Sequence, residues 1–205
     1  MNLSFIQNKL KRHNASILGH EHFSKYAVLL PLIEREDDIH ILFEVRSQLL
    51  RRQPGEICFP GGRIDNQDKS PMEAAVRETT EELGIHNEEI KSVYPIDYLV
   101  SPFGMIVYPF VGIIRNVTSI QYNKKEVEEI FTVPLSFFLQ TNPKTFKIHS
   151  KLIPEENFPF ELIKGGEKYN WRARSIDELF YFYEDKVIWG LTARILHHFL
   201  ELTME

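Results

Sequence analysis

Three glutamates stand at positions 78, 81 and 82 of this 205-residue chain, spaced so that a helix would bring them together. With a step of about 100° per residue, Glu81 lies about 60° to one side of Glu78 and Glu82 about 40° to the other. Carboxylate oxygens on a rigid element suit Mg²⁺ or Mn²⁺. The spacing therefore indicates a divalent cation site, although an ordinary solvated acidic face would show the same spacing.

The helix that would carry these acids is predicted over Ser70–Leu83. Ser70 is a suitable N-cap, Pro71 occupies the first helical position, Glu73 completes a capping box, and Gly84 ends the helix. The three acids fall in its last two turns, where the helix dipole disfavours negative charge. Helix formation alone therefore does not explain why they are there.

Two neighbouring features favour the cation site over the solvated face. A Gly61-Gly62 turn lies one loop upstream, where bare backbone can approach a ligand closely. Arg77 precedes Glu81 by four residues and can orient that acid while partly balancing its charge.

Charge is distributed unevenly in this part of the chain. Residues 65–90 carry eight acids and two bases, whereas residues 45–63 carry four arginines and one acid. A basic segment beside an acidic one suggests that the protein handles a polyanion together with a cation.

The segment from Gly62 to Ile85, GRIDNQDKSPMEAAVRETTEELGI, resembles the Nudix box, G-x(5)-E-x(7)-R-E-U-x-E-E-x-G-U, where U is aliphatic. Asp68 stands at the first Glu position, one extra residue precedes Arg77, and Thr79 replaces the first aliphatic residue. The resemblance implies an α+β Nudix fold, a mixed β-sheet sandwiched between α-helices. Six residues match in register: Arg77, Glu78, Glu81, Glu82, Gly84 and Ile85.

The resemblance also implies roles at a catalytic site. Glu78, Glu81 and Glu82 would hold Mg²⁺ or Mn²⁺, and the Gly61 carbonyl would complete the metal shell. A carboxylate not bound to metal could take the proton of the attacking water, and Glu81 and Glu126 are the candidates for that role. Glu126 could equally be an ordinary exposed acid.

The upstream segment Leu42–Gly62, LFEVRSQLLRRQPGEICFPGG, is similar to the signature of the coenzyme A diphosphatase branch, L-L-T-x-R-S-x(3)-R-x(3)-G-x(3)-F-P-G-G. Phe43 and Glu44 replace the second Leu and the Thr. The similarity implies hydrolysis of coenzyme A, or a derivative, to 3′,5′-ADP and 4′-phosphopantetheine. Eight residues fall in place: Arg46, Ser47, Arg51, Gly55, Phe59, Pro60, Gly61 and Gly62.

Arg46, Arg51 and Arg52 are the candidates for binding substrate phosphates, because guanidinium groups match phosphate oxygens. Two alternatives stay open. The chain could be a Nudix hydrolase of ADP-ribose, dinucleotides or nucleoside triphosphates, or a Nudix module that senses a nucleotide without hydrolysing it. The intact glutamate cluster speaks against the sensor.

Composition excludes other classes of function. A net charge of −5 disfavours a nucleic-acid partner, and the single Cys58 excludes an internal disulfide or a thiolate metal cluster. The longest apolar runs, Tyr26–Ile33 and Met105–Ile114, are far shorter than the roughly 20 residues that cross a bilayer. We expect a cytoplasmic protein with a small-molecule nucleotide substrate and no membrane partner; the oligomeric state is left open.

The remaining pattern predicts a single Nudix domain over residues 1–205, with a short N-terminal helix. Residues 47–70 are predicted to be a long functional loop. Five strands are indicated: Tyr26–Glu34 and Ile39–Arg46 as a hairpin, Val93–Val100, Met105–Ile114, and Phe180–Tyr183. Three further helices are expected: Lys125–Phe131, Pro134–Gln140, and one near Ile188–Leu202.

Overall fold

The computed structural model describes residues 2–35, 38–115, 117–171 and 174–204. Within these residues, eight strands form a mixed sheet: β1 Ser24–Arg35, β2 Asp38–Arg46, β3 Ile57–Cys58, β4 Gly61–Arg63, β5 Ile90–Pro95, β6 Leu99–Ser101, β7 Met105–Ile114 and β8 Val127–Pro134. A three-stranded antiparallel sheet contains β9 Lys144–Ser150, β10 Arg174–Tyr183 and β11 Lys186–Trp189. The α-helices are α1 Leu3–Lys11, α2 Pro71–Leu83, α3 Leu135–Gln140 and α4 Gly190–Met204.

The mixed sheet opens at one end of its two central strands. β1 runs parallel to β7, and its C-terminal half pairs antiparallel with β2, with Leu32 opposite Ile41. Its N-terminal half pairs instead with β4, with Ala27 opposite Gly62. β3 pairs with the far end of β2. Because β3 and β4 occupy these positions, β1 and β2 separate, and the Gly61-Gly62 segment lies between them.

The sheet lies between helices because its long strands alternate apolar residues on both faces. On β1, Ala27 and Leu29 pack in the core that includes α2, whereas Leu30 packs in the core that includes α4. Buried residues of the helices complete the two layers: Ala74, Ala75 and Leu83 on α2, and Ala193, Leu196 and Phe199 on α4. This arrangement confirms the predicted α+β class and its α/β/α layering.

Most predicted elements are present. The first hairpin, the Ser70–Leu83 helix, the helix at Pro134–Gln140 and the C-terminal helix are confirmed within one or two residues at most ends. The strand predicted over Val93–Val100 is divided into β5 and β6, which pair with opposite halves of β7. The predicted loop over residues 47–70 contains the short strands β3 and β4.

The helix predicted over Lys125–Phe131 is wrong. Most of that segment belongs to β8, which pairs antiparallel with β2 and sets Phe131 opposite Phe43. The local run of charged residues is compatible with a helix, but pairing with the free edge of β2 and stacking of the two phenylalanine rings favour a strand. None of the helices in the described ranges is long and apolar enough to cross a membrane.

Candidate active site

The helix α2 is held at both ends, which sets the direction of its glutamates. The Ser70 hydroxyl accepts a hydrogen bond from the Glu73 amide at 3.2 Å, as predicted for an N-cap. The Glu73 carboxylate accepts from the Lys69 amide at 2.6 Å, so the reciprocal bond reaches one residue further back than a standard capping box. Gly84 ends the helix with φ of 63°, a left-handed conformation that suits glycine.

Two buried acids meet beneath the end of this helix. Glu82 is 7% exposed and Glu44 is 1% exposed, and their carboxyl groups lie next to each other. Glu44 is there because alternation along β2 places it on the same face as Leu42, which packs in the core under α2. Glu82 Oε2 also accepts a hydrogen bond from the Gly61 amide at 2.7 Å.

Glu44 was not among the site residues predicted from the sequence. The sequence feature that could have identified Glu44 is its place as the one acid at an inward-facing position of an apolar strand, LFEVR. Burial of a carboxylate is costly unless the group is paired. Burial raises the pKa of Glu44, and the charge of Glu82 raises it further. Burial also raises the pKa of Glu82. Glu44 Oε2 has no hydrogen-bond partner among the described residues.

Arg77 organises the exposed side of the cluster. Its Nε and Nη2 atoms donate to the two oxygens of Asp68 at 2.9 and 3.0 Å. Its Nη1 atom lies 3.0 Å from Glu78 and 3.3 Å from Glu81, so the predicted Arg77–Glu81 pair is present. Asp68, which stands at the first Glu position of the motif, therefore anchors the arginine that orients two glutamates.

The segment predicted as a Gly61-Gly62 turn is instead part of strand β4, paired with β1, and both glycines are tightly packed there. A Cβ atom at Gly62 would collide with the Glu78 carboxylate, so this side chain lies directly against bare backbone. Gly61 has φ of 151°, and a Cβ there would overlap the backbone of Ala27 and Val28. A side chain at Gly61 would therefore push against the backbone of β1, whereas one at Gly62 would displace the Glu78 carboxylate.

Glu126 lies close enough to the cluster to influence it. It occupies the turn before β8, and after burial its charge is one of the causes that raise the pKa values of Glu44, Glu78 and Glu82. Its backbone carbonyl accepts a hydrogen bond from the Ser47 amide at 2.8 Å. Ser47 is fully buried, so it fastens the arginine-bearing loop to the turn that carries Glu126.

The three candidate arginines occupy different environments. Arg46 lies beside Glu44, where its charge partly opposes the effect of burial on the pKa of that acid. Its Nε atom is buried without an acceptor among the described residues, and its Nη2 atom is 3.5 Å from the Arg52 carbonyl. Arg51 and Arg52 are exposed on the loop. The structure thus brings Arg46 to the cluster and leaves the other two at the surface.

The donor set fits a hard divalent cation. Several carboxylates lie together, and those of Glu44 and Glu82 are buried. Glu44 Oε2 has no hydrogen-bond donor among the described residues. Added positive charge would therefore stabilise this carboxylate cluster. In the described part of the chain, no three acidic, histidine or cysteine side chains already surround one point as a metal cage. Arg77 holds Glu78 and Glu81 instead. The assignment of Glu78, Glu81, Glu82 and Gly61 as ligands therefore stays a proposal.

Fold and site together define an α/β/α domain whose carboxylate site is formed by the glycines of β4 and the last two turns of α2. The NUDIX domain family model matches residues 24–155. The chain belongs to the NUDIX domain family. The predicted extent of a single domain over residues 1–205 reaches beyond that match and stays a prediction.

Similar proteins support this membership. The mouse peroxisomal coenzyme A diphosphatase NUDT7 is 39% identical over 121 residues, which cover 59% of this chain and 51% of that protein. The uncharacterized Nudix hydrolase NudL of Photorhabdus laumondii is 33% identical over 171 residues, covering 83% of this chain and 80% of that protein. The chain thus spans about half the length of the mouse relative. A MutT/nudix family protein from Enterococcus faecalis shares the fold, with a TM-score of 0.50, 14% identity, and coverage of 100% of this chain and 71% of that chain.

Proposed function

We propose that the protein hydrolyses the diphosphate linkage of coenzyme A, or a derivative of it, to 3′,5′-ADP and 4′-phosphopantetheine in the presence of Mg²⁺ or Mn²⁺. One observation carries the proposal: the amide of Gly61, a residue of the coenzyme A signature, donates a 2.7 Å hydrogen bond to Glu82 of the Nudix box. The two motifs therefore meet at one site. The name of the mouse relative, a coenzyme A diphosphatase, points to the same substrate.

In the proposed reaction, Glu78, Glu81 and Glu82 hold the cation together with the Gly61 carbonyl. A bound divalent cation neutralises charge on the diphosphate and makes water easier to deprotonate. Arg77 keeps Glu78 and Glu81 in place through its two ion pairs. Positioning and charge neutralisation are most of what phosphoryl transfer requires of a protein.

On the substrate side, the buried Nε–H of Arg46 has no acceptor within the described ranges, which suits a phosphate oxygen at the cluster. Arg51 and Arg52 are exposed on the same loop and are the proposed contacts for phosphates further from the reacting bond. Glu126 and Glu81 are the proposed alternatives for accepting the proton of the attacking water. Glu81 forms an ion pair with Arg77 at 3.3 Å, whereas no ion pair joins Glu126 to Arg77 in the described part of the chain.

The test is to incubate the purified protein with coenzyme A, ADP-ribose, NADH or dGTP, each with Mg²⁺, Mn²⁺ or EDTA, and to identify the products by mass. We expect metal-dependent formation of 3′,5′-ADP and 4′-phosphopantetheine, with the highest kcat/KM for coenzyme A. Preferred cleavage of another diphosphate would refute the substrate and retain the reaction. Nucleotide binding without turnover of any compound would refute the reaction and favour a sensor.

We also propose a cytoplasmic location, as the composition suggests. A chain with one cysteine forms no internal disulfide, so its stability does not depend on an oxidising compartment. The mouse relative is named peroxisomal, so the location needs its own measurement. Fractionation of the cells that produce this protein would test it, and recovery with an organelle would contradict it.

A further inference from the structure

A cavity of about 450 Å³ lies behind the signature loop, on the other face of β2 and β3 from the glutamate cluster. Val45 and Ile57 line it, and they are paired across the two strands. Their neighbours Glu44 and Cys58 point the opposite way, since alternate residues of a strand face opposite sides of a sheet. Cys58 accordingly feels the charges of Glu44 and Glu82. The cavity and the cluster are thus separated by the thickness of one short ribbon.

One wall of the cavity is aromatic. Phe180 on β10 and Trp189 on β11 are cross-strand partners, and their rings are stacked with centroids 5.7 Å apart and planes 14° apart. Trp189 is 39% exposed, which leaves much of the indole available to a ligand. Side chains of this kind bind apolar chains and flat amide groups well.

The opposite wall comes from the coenzyme A signature itself. Pro54, Gly55 and Glu56 line the cavity, and Gly55 is one of the residues that match the signature. Gly55 has φ of 74°, and a Cβ there would approach Gln48 Nε2 to 2.7 Å. The Gly55 amide donates to the Arg46 carbonyl at 2.9 Å, which ties this wall to the arginine at the glutamate cluster.

The charges around the cavity are unfavourable to phosphate. Three acids and one base line it, and the base, Lys186, lies 2.8 Å from Glu129 and 3.6 Å from Asp185. A phosphorylated group would meet uncompensated negative charge at this end of the loop. The earlier half of the loop carries Arg51 and Arg52, so the two halves suit different parts of one substrate.

We propose that this cavity binds the uncharged pantetheine arm of the substrate, with Phe180 and Trp189 packing against it. The inference rests on the proposed function, because it places one part of a coenzyme A-like molecule. Extended, the arm is about as long as four residues, roughly 13 Å. That length exceeds the width of the two-stranded β2–β3 ribbon that separates the cluster from the cavity, since neighbouring strands lie about 4.8 Å apart. Glu56 and Asp185 are available to accept hydrogen bonds from its two amide groups.

The first test uses neither metal nor turnover. In a Trp171→Phe variant, Trp189 is the remaining tryptophan and reports on the cavity by its fluorescence. In EDTA, we expect pantetheine to cause a saturable change in emission that 3′,5′-ADP does not cause. A Trp189 emission that pantetheine leaves unchanged would overturn the proposal.

The second test separates the two ends of the substrate. Trp189→Ala should raise KM for coenzyme A about tenfold with little change in kcat, because one aromatic contact to the substrate is lost. Binding of 3′,5′-ADP should be unchanged, which also shows that the variant is folded. The matched control is Phe103→Ala, since Phe103 is 79% exposed and does not line the cavity. An equal rise in KM for both variants would count against the proposed arm site.

Failure of this inference differs from failure of the proposed function. If the protein cleaves coenzyme A and Trp189→Ala leaves KM unchanged, the reaction stands and the position of the arm is wrong. If pantetheine binds at Trp189 but coenzyme A is not cleaved, the arm site stands and the reaction is wrong.

Discussion

The Gly61 amide donates a hydrogen bond of 2.7 Å to Glu82 Oε2, and this bond joins the two halves of the candidate site. Gly61 lies on β4 in the gap between the central strands, and Glu82 lies in the last turn of α2. The bond fixes the position of the C-terminal end of α2 relative to β4. The carboxyl group of Glu82 also lies next to that of the buried Glu44. Changes at Gly61, Glu82 or Glu44 should therefore affect the whole cluster.

Glu82→Gln should fold normally and lose metal-dependent turnover by about 100-fold or more, because the amide keeps the size of the side chain but weakens a metal ligand. The measurement is kcat/KM at saturating Mg²⁺, with the circular dichroism spectrum as the check on folding. Glu88→Gln is the matched control, since Glu88 is an exposed acid outside the cluster. Turnover equal to that of the control would remove Glu82 from the proposed site.

Mg²⁺ or Mn²⁺ should stabilise the folded protein, because Glu44 and Glu82 are buried together and Glu44 Oε2 has no hydrogen-bond donor among the described residues. At 100 times its Kd, a ligand that binds only the folded state adds about 2.7 kcal/mol to the free energy of unfolding. Thermal unfolding in EDTA and in increasing Mg²⁺ measures this effect. The rise in Tm should be much smaller for Glu82→Gln, and an equal rise in both proteins would place the cation elsewhere.

Gly62→Ala should reduce activity and destabilise the fold only slightly, by about 1 kcal/mol or less, because its Cβ would collide with the Glu78 carboxylate, the end of a flexible side chain that can move aside. Urea unfolding gives the change in the free energy of unfolding. Combining the change with Glu78→Ala removes the colliding group, so the cost of adding the methyl group should become smaller. A cost that is unchanged in that background would show that some other contact is responsible.

Arg51→Ala should reduce kcat/KM for coenzyme A about tenfold or more and have less effect on ADP-ribose, which lacks the 3′-phosphate. The reason is that Arg51 is exposed at the basic half of the loop, available to a substrate phosphate. Arg35→Ala, a change to an exposed arginine at the end of β1, is the control. An equal loss on both substrates would refute a substrate-selective role for Arg51.

Asp68→Asn should lower stability at neutral pH, because the hydrogen bonds from Arg77 hold the pKa of Asp68 below its usual value. A lowered pKa means that the stabilisation is present above the unfolded pKa, about 3.9, and is lost as pH falls through the folded pKa. The difference in Tm between the two proteins should therefore shrink in acid. Asp65→Asn, at an exposed neighbour, is the matched control; a pH-independent loss in Asp68→Asn would indicate a steric cause.

The order of residues along the chain was enough to predict what depends on local geometry. The arc of Glu78, Glu81 and Glu82 follows from helical spacing, and the ends of α2 follow from the Ser70 cap and the Gly84 stop. The first hairpin follows from two β-rich runs around a charged turn. In each case the deciding contacts join residues a few positions apart, so periodicity and capping predict them.

The tertiary structure decided what depends on distant segments. Glu44 meets Glu82 because strand alternation turns it under α2, and the backbone of Glu126 is tied to Ser47 because β8 pairs with β2. That same pairing makes residues 127–131 a strand, against their local pattern. Burial and charge at the cluster arise only when these segments pack together, since one strand or helix cannot bury a carboxylate by itself.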